Sequence, residues 1–69
     1  MCRNIRKLRR PDGAPTEAEM SDAALQFVRK VSGFQKPSRA NEAAFAQAVA
    51  DVTAAQKRLF EALVVRGAA

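Results

Sequence analysis

TEAEMSDAALQFVRKVSG, running from Thr16 to Gly33, is the stretch whose reading decides the fold. Its apolar residues Met20, Ala23, Ala24, Phe27, Val28 and Val31 step by three and by one, which traces one face of a 3.6-residue helix. Thr16 is a good N-cap, and Glu19 stands three residues on, the capping-box spacing that satisfies two orphan amide protons. Pro15 and Met20 occupy the two positions of a hydrophobic staple. Glu17, Glu19 and Asp22 crowd the start while Arg29 and Lys30 sit at the end, so both termini complement the helix dipole. Gly33 suits a left-handed C-terminal cap, Phe34 is placed to fold back on Val28, and Pro37 forbids easy continuation. The pattern predicts helix one within residues 16–33.

Downstream, Ser38 is placed to cap a second helix. Neither glycine nor proline occurs from Arg39 to Val65, alanine is frequent, and Gly67 marks an end, so helix two is expected over 38–66. Phe45, Ala48, Val49, Val52, Ala55, Leu59, Ala62 and Leu63 form its stripe. A helix of roughly 40 Å against one of about 24 Å, joined by a short connection, makes an antiparallel αα-hairpin with unequal arms. The fold class is therefore all-α. The overhang leaves Leu59, Phe60, Leu63 and Val64 with little cover and makes them a candidate interaction surface. Either a short leader helix bearing Cys2, Ile5 and Leu8 folds back on them, or a second hairpin completes a four-helix bundle. A homodimer is the expectation.

Upstream lies the charge. The chain of 69 residues carries 12 basic and seven acidic side chains, a net charge of +5. Arg3, Arg6, Lys7, Arg9 and Arg10 come before any acid, and the rest of the chain sums to zero. Such segregation points to a polyanionic partner, nucleic acid above all, although a solvated tail that aids solubility has the same composition. Residues 1–15 read as a basic leader closed by the break Pro11-Asp12-Gly13-Ala14-Pro15, and 1–69 reads as one small domain. That break rules against a signal peptide, no apolar run is long enough to span a bilayer, and one unpaired cysteine suits a reducing compartment, so the expected location is cytoplasmic.

Little here suggests a reaction. One cysteine and no histidine exclude an internal disulfide, the usual zinc sites and a Ser-His or Cys-His pair. Glycines at 13, 33 and 67 make no phosphate loop. Glu42, Asp51 and Glu61 read as solvated surface. No enzyme, metal, cofactor or small-molecule substrate is expected. Cys2 is the one reactive candidate, since Arg3 and Arg6 beside it would lower a thiol pKa; the plainer role is a small apolar residue packing beside Ile5 and Leu8.

A second set of cations flanks the hairpin turn. Between Asp22 and Glu42 there is no acid, yet Arg29, Lys30, Lys36 and Arg39 all occur, with Ser38 opening the next helix. A helix N-terminus with nearby cations suits phosphate, while Arg29 and Lys30 equally suit a helix C-terminus. With no Tyr or Trp, and with the four Phe expected in core or caps, stacking platforms are lacking. The hairpin does not match a DNA-reading helix-turn-helix, so nucleic-acid contact would be phosphate-driven and salt-dependent. The reading is a non-enzymatic polyanion-binding module, with a homodimeric interaction adaptor as the alternative and a redox or metal role for Cys2 behind both.

Met1-Cys2-Arg3-Asn4-Ile5-Arg6, the Pro-rich break with Thr16-Glu17, the run Phe27 to Phe34, Lys36-Pro37-Ser38 and Asn41-Glu42 together resemble a family of small, mainly bacterial, uncharacterised proteins. The resemblance covers nearly the whole chain, although Pro11-Asp12-Gly13 departs from that family's more apolar linker. It implies no catalytic residues and directs attention to Cys2 and the Lys36-Pro37-Ser38 turn.

Overall fold

Two reciprocal hydrogen bonds start the first helix. The Glu19 N–H donates to Thr16 Oγ1 at 3.1 Å, and the Thr16 N–H donates to Glu19 Oε1 at 2.8 Å. The computed structural model, which describes residues 7–11 and 13–64, thus contains the capping box that the spacing predicts. Pro15 and Met20 are both buried, as a staple requires. Helix α1 runs Glu17–Ser32 and ends at Gly33, whose φ of 79° lies where only glycine is at ease. The Gly33 N–H closes the last turn onto the Arg29 carbonyl at 2.9 Å. Phe34, placed by the sequence to fold back on Val28, lines the same groove as Val28. Its N–H donates to the Ser32 Oγ at 3.1 Å, and the residue stays 45% exposed.

The second helix is shorter at both ends than the pattern implied. Ser38 caps nothing, because its hydroxyl accepts from Asn41 Nδ2 at 2.9 Å. The Asn41 N–H reaches the Ser38 carbonyl at 2.9 Å, so Arg39–Asn41 form a tight 3₁₀ turn first. Helix α2 then spans Glu42–Ala62. Its last backbone bond runs from the Leu63 N–H to the Leu59 carbonyl, after which Leu63 turns extended at ψ 134°. Leu63 faces the leader, and β-branched Val64 gives little reason to continue the helix. No strand forms among the described residues, and none of their helices is long and apolar enough to cross a membrane.

α1 and α2 lie antiparallel, but the seam between them is thin. Met20, Ala24 and Val28, four residues apart, supply the buried apolar side chains of α1, and α2 has no fully buried residue. From α2 the half-buried set is Phe45, Ala48, Val49, Val52, Thr53, Ala54, Gln56 and Phe60, so Ala55 and Leu59 of the expected stripe face outward instead. The difference has a polar cause. Gln56 points at α1, and its Nε2 donates to the Met20 carbonyl at 2.8 Å and the Val52 carbonyl at 3.4 Å. Thr53 Oγ1 donates to the Val49 carbonyl at 2.8 Å. Both groups tolerate the seam because each is hydrogen-bonded there.

The leader is not helical over residues 7–11 and 13–15. Arg10 and Gly13 exchange backbone bonds of 3.0 and 3.1 Å, which reverses the chain at Pro11. Cys2 and Ile5 of the expected leader helix, and Val65 to Gly67 of helix two, lie outside the described residues.

Replacing Gly33 by Ala forces a Cβ into the left-handed region at a cost of about 1–2 kcal/mol. A thermal melt should show the Gly33→Ala variant several degrees less stable; an unchanged midpoint would mean that α1 ends some other way in solution.

Candidate functional site

The open end of the hairpin is organised around Glu19. Besides its cap bonds, it accepts Arg10 NH1 at 2.8 Å on Oε2 and Arg10 NH2 at 3.1 Å on Oε1, a two-pronged clasp. The Arg10 guanidinium, and after it the Thr16 N–H, hold the Glu19 carboxyl down at about 2, from an ordinary 4.5. Pinned there, the leader crosses the end of α2 and encloses a cavity of about 150 Å³ lined by Arg9, Arg10, Pro11, Gly13, Ala14, Phe60 and Leu63. The leader thus covers Phe60 and part of Leu63, through Arg9, Arg10, Pro11, Gly13 and Ala14 and not through Leu8 of the expected leader face, whose Cys2 and Ile5 lie outside the described residues. Leu59 and Val64 stay 52% and 74% exposed.

The turn end is different. Arg29 is half-buried, and its Nε donates to the Gln35 carbonyl at 2.9 Å, tying α1 to the connection. Lys30, Lys36 and Arg39 are exposed, and none has an ion-pair partner among the described residues. Ser38 is committed to Asn41. Of the cations expected to bind a polyanion, Arg10 is engaged with Glu19, Arg29 braces the turn, and Lys7, Arg9, Lys30, Lys36 and Arg39 face outward or line the leader's cavity. Arg3, Arg6 and Cys2 lie outside the described residues.

The cations do not form one patch. Leader and turn sit at opposite ends of α1, about 24 Å apart along its 16 residues.

Between them, the two flanks of the hairpin are unlike. One is mixed, with Glu17, Ser21, Thr53 and Lys57 interleaved with Ala46, Val49, Ala50 and Ala54, and Lys57 Nζ reaches Glu17 Oε2 at 3.4 Å. On the other, a groove of about 300 Å³ runs between Phe27, Val31 and Phe34 of one arm and Ala44, Phe45 and Ala48 of the other. Phe27 is 52% and Val31 64% exposed. Two of the four Phe expected in core or caps therefore stand half in solvent, because Met20, Ala24 and Val28 already fill the narrow seam. Sequence reasoning missed this groove; the i, i+4, i+7 spacing of Phe27, Val31 and Phe34 was its signal.

A family model described as an uncharacterized conserved protein, DUF2277, matches residues 1–69. The chain belongs to that family. No curated protein and no solved structure is significantly similar to it. The description of DUF2277 assigns no activity, so function in this member has to be argued from its charges and its groove.

The Glu19 clasp has a definite pH signature. A carboxyl held at about 2 when folded and near 4.5 when unfolded adds stability that is complete above about pH 4.5 and lost as pH falls toward 2. Urea melts of the native DUF2277 chain and its Arg10→Gln variant should differ by a constant amount above pH 5, and the gap should narrow below pH 4. A gap independent of pH would show that Arg10 does not stabilise the charged carboxylate.

Proposed function

We propose that this chain is a non-enzymatic binding module that contacts a polyanion, with nucleic acid as the partner. The observation that carries this reading is the cluster Lys30, Lys36 and Arg39. All three are exposed at one end of the hairpin with no ion pair among the described residues, in a stretch without a single acid from residue 23 to 41. Two of the other described cations are drawn into the fold, Arg10 by Glu19 and Lys57 by Glu17. A compact group of unpartnered charges on a short turn suits a phosphate backbone, where each neutralised phosphate releases counterions. Lys7 and Arg9 at the far end, with Arg3 and Arg6 before them in sequence, supply a second anchoring point along an extended partner. Neither end offers a pattern for reading bases, so the contact would be indifferent to sequence.

Exposed Leu59 and Val64, with Phe27 and Val31 on the groove, favour a second reading as a protein-interaction module, and the two surfaces are separate enough to coexist.

Fluorescence anisotropy with a labelled 20-nucleotide RNA and a duplex DNA of equal length tests the first reading. Binding should weaken steeply with salt. The variant Lys30→Gln, Lys36→Gln, Arg39→Gln should lose at least tenfold in affinity, and its log–log salt slope should fall by about 2 on the RNA and by about 3 on the duplex, as the removal of three phosphate contacts requires. No binding of either probe at about 20 mM salt, or a triple variant that binds as well as the native chain, would overturn the reading.

A further inference from the structure

We propose, resting on the polyanion reading, that the Arg10–Glu19 clasp is an autoinhibitory contact. Glu19 stands in for a phosphate and withholds Arg10 from the partner until a bound phosphate backbone draws it away. The chemistry of the pair points there. Glu19 presents its two carboxylate oxygens to the two terminal nitrogens of Arg10, at 2.8 and 3.1 Å. A guanidinium makes the same two-pronged contact with a phosphate, so the two acceptors compete for one set of donors.

Three features make the contact exchangeable. The first is access. The Arg10 and Glu19 side chains are 46% and 38% exposed, so a ligand reaches them without unfolding anything. Pairs this exposed hold weakly, which keeps the exchange near balance. Position is the second. Exposed Lys7 and half-buried Arg9 lie on the same short segment as Arg10. A phosphate backbone held by them brings further phosphates to Arg10 at high effective concentration. The third lies beneath the leader, where a cavity of about 150 Å³ reaches from Arg9, Arg10 and Pro11 to Phe60 and Leu63. Such a void forfeits the dispersion contacts that would otherwise fasten the leader down.

Helix α1 does not depend on the clasp. Glu19 Oε1 accepts the Thr16 N–H, and Thr16 Oγ1 accepts the Glu19 N–H, through atoms that Arg10 does not supply. Releasing Arg10 leaves that capping box in place, and the helix start with it. What changes is the cover over the end of α2, where the leader lifts from Phe60 and Leu63. Binding at the leader and exposure of that end are thereby coupled.

The Glu19→Gln variant tests the proposal, because Gln preserves a capping box and gives up the charge that holds Arg10. Glu17→Gln is its control, since Glu17 pairs with Lys57 and removing it changes the net charge equally without touching the clasp. Fluorescence anisotropy with the labelled RNA should show Glu19→Gln binding about fivefold more tightly than Glu17→Gln, the order that a half-exposed pair withholds. In an Arg10→Gln background that advantage should vanish. A second readout needs no nucleic acid. Trypsin cleavage after Arg9, followed by mass spectrometry, should be several-fold faster in Glu19→Gln than in the native chain or Glu17→Gln. Should Glu19→Gln lose helix by circular dichroism, Arg10→Lys, which keeps the charge and loses the second prong, should show the same faster cleavage. A native chain that binds RNA while Glu19→Gln gains no more than Glu17→Gln overturns the autoinhibitory contact and leaves the polyanion reading standing. So does a gain that persists without Arg10, or cleavage after Arg9 at equal rates. RNA bound by neither the native chain nor any variant at about 20 mM salt overturns the polyanion reading, and the autoinhibitory contact with it.

Discussion

Glu19 is the point at which the local and the long-range structure meet. One carboxylate completes the cap of α1 through Thr16 and holds the leader through Arg10, nine residues upstream. A cap alone would start a helix and leave residues 7–14 unattached. The clasp brings the Arg10–Gly13 reversal against Phe60 and Leu63, which shields the end of α2 that α1 is too short to reach. Because the pair is about half exposed, its strength lies in geometry, two parallel hydrogen bonds added to a preformed cap, more than in raw charge attraction.

The seam between the helices shows how little apolar burial one chain of this size achieves. A row of three residues on α1, spaced by four, packs on an arm whose side chains are all at least partly exposed. Gln56 compensates for part of this by reaching the Met20 carbonyl, a contact that sets the rotation of α2 and the axial register of the arms. That rotation turns Val52 and Gln56 toward α1 and Phe60 toward the leader, and sends Ala55 and Leu59 outward. The thin seam and the open groove are two consequences of the same geometry.

Charge distribution follows a similar logic. The basic excess of the chain is divided by the hairpin into two ends about 24 Å apart, with an apolar flank between them. At one end Arg10 has been absorbed into the fold. At the other, Lys30, Lys36 and Arg39 are left outside because the turn holds no acid to meet them. Membership of DUF2277 extends over the full chain and adds no chemistry to this picture.

By itself the sequence determined helix one almost to the residue, since Thr16, Glu19 and Gly33 act within a few positions of themselves and local geometry is enough to read them. It determined the all-α hairpin as well, because periodicity and Pro37 leave few alternatives. The tertiary structure decided what local signals do not encode. Ser38 looked like a cap until Asn41 took its hydroxyl, and Arg10 looked like a free cation until the leader's reversal brought it to Glu19. The ends of α2, the side of it that faces α1, and the exposure of Phe27 and Phe34 depend on a seam only wide enough for Met20, Ala24 and Val28. Contacts between residues nine or thirty-six positions apart settle those outcomes, and no pattern within a single helix records them.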